Sequence, residues 1–245
     1  MKKTIISIAV SIAAMLPALS HAELTSAQQQ QLEGIHQLLR DNPEIIADLH
    51  ANLQQYVENQ KQLTKAKQQS ETWLNDTTIH SVTGNPEGGT VIINFTDYNC
   101  PYCKRLDNVL AKMAGKNSDL KVINIYVPLK QQVIDGLETN SAAFAIKVWQ
   151  NAPEKFAEVN RLLVAKPGLH DKTSIEAVAK KTGTEEYLTG DTAINESLVK
   201  NYKTFVALGL RGTPAMFIGD EVIPGFIPYD KLEEIVKKHQ AEQKS

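Results

Sequence analysis

The sequence predicts an α/β protein: a strand–helix–strand unit, a helical insertion and a closing hairpin–helix, all preceded by an N-terminal helical arm. β-branched and aromatic runs fall at 90–96, 120–127 and 215–223, while the stretches 26–74 and 131–208 have helical spacing. That division separates a sheet-bearing core from two all-helical parts.

The chain of 245 residues opens with Lys2 and Lys3, an apolar run from Ile5 to Leu19, and Ser20-His21-Ala22. This pattern reads as an export signal cleaved after Ala22, giving a segment 1–22 that is removed. The apolar run is short for a spanning helix, which argues against a membrane anchor. No cysteine lies near the cleavage point to carry a lipid, so the expected location is the periplasm. Without Lys2 and Lys3 the charge is 24 minus 28, or −4. No basic field invites nucleic acid. The remaining 223 residues exceed a usual single domain, so an appended arm (23–75) and a core domain (76–245) interrupted by an insertion at about 131–208 are expected.

In the arm, Ser26 to about Leu74 contains one glycine, Gly34, and one proline, Pro43. Asp41-Asn42-Pro43-Glu44 divides it into a short and a long helix, with Asn42 placed as N-cap, Pro43 in the first turn and Glu44 at the positive end of the dipole. Ile46, Leu49, Leu53, Tyr56, Gln60 and Leu63 recur at spacings of 3, 4, 3, 4 and 3, a coiled-coil seam with one polar member. Such a stripe packs either on its own domain or on copies of itself. The polar stretch Gln60 to Ser70 sets the arm apart from the core and favours self-association into a dimer or trimer.

The turn cluster Asn85-Pro86-Glu87-Gly88-Gly89 introduces the buried strand Thr90–Thr96. Leu106, Val109, Leu110 and Met113 then share one helical face, and Leu120–Val127 is a second strand ended by Pro128. In the insertion, helices are expected over Ser141–Gln150, Pro153–Val164, Lys172–Lys181 and Asp191–Leu208, with Gly168, Gly183 and Gly190 at breaks. Ala215–Ile218 and Glu221–Ile223 form a hairpin around Gly219-Asp220, and a helix runs from about Tyr229 to His239.

Between the first strand and its helix stands Asn99-Cys100-Pro101-Tyr102-Cys103, which holds the only two cysteines. A bridge closing so small a loop staples nothing distant, so the pair suits disulfide exchange. Zinc would need four ligands, and no Met or His cluster stands beside the pair to suggest more than incidental Cu(I) binding. No metal or cofactor is expected. Cys100, at the predicted start of a helix, meets unpaired N–H groups and the positive end of the dipole, which favour a thiolate. Cys100 is therefore read as the attacking sulfur and the more shielded Cys103 as the resolving one. Pro101 suits a first helical turn, and Tyr102 brings no charge. His36, His50 and His80 read as surface or packing residues, and Arg211 as a loop charge.

Phe95 through Arg105, with Gly212-Thr213-Pro214 and the helical stretch between them, resembles the DsbA-like branch of the thioredoxin superfamily over about 84–239. The arm is more loosely similar to that of ScsC and Com1 relatives, some of which form oligomers and isomerise disulfides. The resemblance implies a thioredoxin-like fold and a cis Pro214. It also implies that Thr213 and Pro214 stand beside the cysteines, where the backbone pairs with a bound peptide. The implied partners are unfolded or misoxidised exported proteins and a membrane redox partner that recharges the pair. Many family members carry a buried acid six residues before the first cysteine, whereas this chain has Asn94. An amide accepts no proton as a base, leaving water or Asp97 for that task. Isomerase or reductase is favoured over a pure dithiol oxidase by the arm and by Thr213. A non-catalytic holdase or copper-responsive module is the reading from another class.

Overall fold

The computed structural model describes residues 24–243; the expected export signal lies outside them. The chain divides between Val57 and Glu58 into two compact units. Among the described residues, no helix is long and apolar enough to cross a membrane.

The first unit holds α1 (Ser26–Asp41), a 3₁₀ turn (Pro43–Ile45) and the start of α2 (Ile46–Leu74). Thr25 and Gln28 close a capping box at the head of α1. Asn42 holds the expected N-cap position ahead of Pro43, but its side chain does not cap that turn: its Nδ2 and its backbone N–H both donate to the Leu38 carbonyl, at 2.9 and 3.1 Å, and close α1. No residue of α1 is buried. Leu32, Ile35, Leu38, Ile46, Leu53 and Tyr56 are all exposed.

In the second unit the later part of α2 docks on the sheet. Leu63 and Ala66 pack against a core cluster, Leu74 is buried in it, and Lys67 Nζ donates to the Gly219 carbonyl and the Asp220 carboxylate. The polar stretch Gln60–Ser70 is thus not a bare spacer. Helical periodicity turns Leu63, Ala66, Lys67 and Ser70 to one side, where they are half-buried. The seam read from the sequence splits accordingly: Ile46, Leu53 and Tyr56 stay exposed, whereas Leu63 joins the sheet core.

The sheet comprises β1 (Ser81–Gly84), β2 (Thr90–Thr96), β3 (Leu120–Tyr126), β4 (Ala215–Ile218) and β5 (Glu221–Pro224), in the order β1-β3-β2-β4-β5. Only β2 and β3 run parallel, joined through α3 (Pro101–Ala114). The edge strand β1 has no counterpart among the sequence expectations. Four residues with a single strong apolar member, Val82, carry too little pattern to be read as a strand.

Alternation in β2 sorts the core into two layers. Ile92, with Val122 and Met216 of the neighbouring strands, faces Leu106, Leu110 and Met113 of α3 and Leu232 and Val236 of α8 (Tyr229–Glu242). Ile93 and Phe95 face the other way, to Leu74 and to Phe205 of α7 (Thr192–Ala207). The insertion consists of α4 (Ser141–Asn151), α5 (Pro153–Ala165), α6 (Lys172–Thr182) and α7. It builds a core of its own from Phe144, Ile146, Val159, Leu163 and Ile175, which Tyr98 and Tyr126 join.

His36 and His50 are exposed, whereas His80 is fully buried edge-on to Trp73, with both ring nitrogens unpartnered. Burial pulls its pKa down to about 4, so it packs as a neutral ring.

Candidate active site

The end of β2 delivers the cysteines through Asp97-Tyr98-Asn99. Asp97 is buried, and its carboxylate accepts the backbone N–H groups of Asn99 (2.8 Å) and Lys130 (2.9 Å), while its carbonyl accepts that of Cys100 (3.0 Å). Tyr98 stacks on Tyr126 with ring centres 5.0 Å apart, and its hydroxyl lies 2.6 Å from Asn160 Oδ1 and 2.9 Å from the Tyr126 hydroxyl. Asn99 Oδ1 accepts the His170 N–H at 2.7 Å, and its Nδ2 donates to Gln131 Oε1 at 3.2 Å. Lys104 Nζ donates to the carbonyls of Lys166 and Gly168. Residues on both sides of the cysteine pair therefore grip the loop between α5 and α6.

Cys100 is the N-cap of α3 with Pro101 at the first helical position. Its sulfur has 3.2 Å to the Thr213 carbonyl, and the Thr213–Pro214 peptide is cis. The cysteines and the Thr213-Pro214 segment, more than a hundred residues apart in sequence, thus meet at one point. Pro101 and Tyr102 are exposed, Thr213 is half-buried and Pro214 is buried. Arg211 is exposed two residues before Thr213.

The two sulfurs are unequal. The Cys103 thiol donates to Cys100, the backbone N–H groups of Cys103 and Tyr102 point at the same sulfur, and the Thr213 hydroxyl adds a further bond. Against the opposing cost of burial, these bring its pKa down to about 6. As a thiol Cys100 donates to the Thr213 carbonyl; as a thiolate it accepts only. Burial pushes the Cys103 thiol up, and the neighbouring Cys100 pushes in the same direction. Only 4 % of Cys100 and 2 % of Cys103 are exposed, so a partner must present its sulfur closely to reach Cys100.

Asn94 lies in register with Asn124 and Met216 on the face covered by α3. Its Nδ2 donates to Asn124 Oδ1 at 2.9 Å, but its Oδ1 is buried without a partner, so the amide is half satisfied. Asp97 is no free base either. Both its oxygens are occupied by N–H groups, burial raises its pKa, and it is its backbone N–H that meets Cys103. Sequence reasoning missed Asn99, Lys104, Tyr126, Asn160 and His170. Adjacency to the cysteines marks the first two, but nothing in the sequence joins Asn99 to His170.

A thioredoxin-like sheet, a sulfur held as an anion at the head of a helix, and a cis proline against that sulfur define the class: a thiol–disulfide oxidoreductase. The chain belongs to the DSBA-like thioredoxin domain family, whose model matches residues 91–237. It is similar to a linker-deletion mutant of ScsC from Proteus mirabilis, with 31% identity over 91% of this chain and 100% of that one and a TM-score of 0.69. It is similar as well to a periplasmic thioredoxin-like protein from Salmonella enterica serovar Typhimurium, with 34% identity over 70% of this chain and 95% of that one and a TM-score of 0.64. A more distant likeness, 24% identity over 173 residues (64% of this chain, 75% of the relative), is to disulfide bond formation protein D of Bacillus subtilis (strain 168).

Proposed function

We propose that the protein is a periplasmic disulfide isomerase and reductase that works as a homo-oligomer assembled through the arm at 23–75. The observation that carries this reading is the row of exposed apolar side chains on the arm, Leu32, Ile35, Leu38, Ile46, Leu53 and Tyr56, joined in one chain to a low-pKa redox pair. Several pairs held around one misoxidised exported protein favour repeated exchange over a single oxidation.

In the proposed cycle the Cys100 thiolate attacks one sulfur of a client disulfide. A bond forms between Cys100 and that sulfur, and the other client sulfur leaves as a thiolate that takes up a proton. Two outcomes follow. A client thiol attacks the mixed disulfide and regenerates the Cys100 thiolate, which is isomerisation. Alternatively Cys103 loses its proton and displaces the client, which leaves reduced while Cys100 and Cys103 become bridged. A membrane redox partner then recharges the pair. The Thr213 backbone pairs with the client chain as an added strand and holds its sulfur in line.

The lowered Cys100 pKa also favours a second reading, a DsbA-type dithiol oxidase, because stabilising the reduced form makes the disulfide more oxidising. Removal of residues 23–57 separates the two while sparing the docked part of α2. The shortened protein should be a monomer in light scattering, keep insulin reduction within about twofold, and lose on the order of tenfold in refolding scrambled ribonuclease. Leu53→Glu with Tyr56→Glu in the full chain should do the same. A monomeric full-length protein, or undiminished isomerisation by the shortened one, would rule the oligomeric isomerase out. A holdase would instead retain its effect on clients when both cysteines are serine.

A further inference from the structure

Beside the redox pair stands a cation that enters no ion pair among the described residues. Arg105, two residues after Cys103, is exposed, and its guanidinium carbon lies 4.2 Å from the ring centre of Phe226 and 5.8 Å from that of Tyr102. Tyr102 belongs to the segment between the cysteines. Phe226 follows Gly225, whose N–H donates to the Pro214 carbonyl at 2.8 Å. The arginine therefore bridges the two walls of the site, one built by the redox loop and the other by the cis-proline loop. Stacking on aromatic faces fixes a guanidinium while leaving its N–H edge open for a carboxylate.

Arg105 is not isolated. Lys104 and Arg211 belong to the same two segments by sequence, Lys130 donates its N–H to Asp97 before the cysteines, the Lys166 carbonyl accepts Lys104, and none of the five enters an ion pair within 4.0 Å among the described residues. Lys104 and Lys166 spend their hydrogen bonds on backbone carbonyls. Three acids share this region: Asp97, which attracts Lys104 and Lys130, Asp107, bonded to Asn160, and Asp171, the cap of α6, which attracts Lys166; Arg105 and Arg211 are left without such an acid among the described residues. A local excess of positive charge on a chain with 26 bases and 28 acids marks this rim as a place of electrostatic selection.

We infer that Arg105 and this basic rim select client disulfides flanked by acidic residues, Arg105 receiving the carboxylate of a Glu or Asp beside the reacting half-cystine. In free solution a neighbouring carboxylate repels an attacking thiolate. At this rim the same carboxylate is drawn in, and encounter with an acidic segment is steered toward Cys100. The inference rests on the exchange reaction proposed above and adds its substrate preference.

Three disulfide peptides identical except for Glu, Gln or Lys beside the cysteine test it, with the reduced full-length protein as reagent and the rate of peptide reduction as readout. At low ionic strength the Glu peptide should react about tenfold faster than the Lys peptide, and salt should shrink that ratio. In Arg105→Gln the ratio should fall at least about threefold, with Arg105→Lys in between. A ratio taken within one variant cancels any change in general thiol reactivity, and the salt dependence of the wild-type ratio stands even if a variant fails to fold. Equal rates for all three peptides, or a ratio indifferent to both salt and Arg105→Gln, would overturn the selection while leaving exchange intact. No reduction of even the Gln peptide would overturn exchange and the selection with it.

Discussion

Replacing Cys100 with serine should lower disulfide reduction and isomerisation on the order of a thousandfold or more, with the fold preserved. Cys100 stands at the N-cap position of α3, where serine is well suited, so the loss reports chemistry and not collapse. A serine hydroxyl in the same cradle stays protonated at neutral pH and forms no mixed disulfide. Insulin reduction, followed by turbidity, and the refolding of scrambled ribonuclease both read the loss. Retention of more than about a tenth of either activity would mean that some other group performs the exchange.

Cys103→Ser should do something different. The attack on the client survives, since Cys100 keeps its backbone donors and a serine hydroxyl replaces the donating thiol. The exit through Cys103 is closed, so mixed disulfides accumulate as client-sized adducts on non-reducing gels, and net reduction falls on the order of a hundredfold. Isomerisation through a client thiol needs only Cys100 and should fall far less than reduction. An equal loss of both activities would show that Cys103 serves every cycle.

Much of the fold was legible because strong patterns lie where they are needed. The β-branched runs of β2 and β3, the face of Leu106, Leu110 and Met113, and the Gly219-Asp220 reversal each speak for themselves. The cysteine pair was legible because two thiols in so short a loop admit few uses. Three things were not. β1 is too short to leave a pattern, and the docking of Leu63, Ala66 and Lys67 was hidden because mostly polar residues surround a narrow half-buried face. The ties from Asn99 to His170 and from Lys104 to the Lys166 carbonyl connect positions that only the folded chain brings together. Asn94 carries a lesson of a different kind. Its departure from the family pattern was visible, but its half-satisfied state depends on Asn124 across the sheet.

The central claim is that the fold holds one sulfur as an anion, and titration of the reduced protein addresses it directly. Between about pH 6 and about pH 9 the folded protein should carry one proton fewer at Cys100 than the unfolded chain. The stability of the reduced form should therefore rise with pH through that window, and that gain should be lost as pH falls through about 6. Cys103, shifted the other way, stays protonated where the unfolded chain ionises and offsets part of the gain above about 9. Thiolate absorbance in the ultraviolet should show a single step with a midpoint at about 6, absent in Cys100→Ser. A midpoint at about 8.5, the value of an ordinary thiol, or a step that persists without Cys100, would contradict the account.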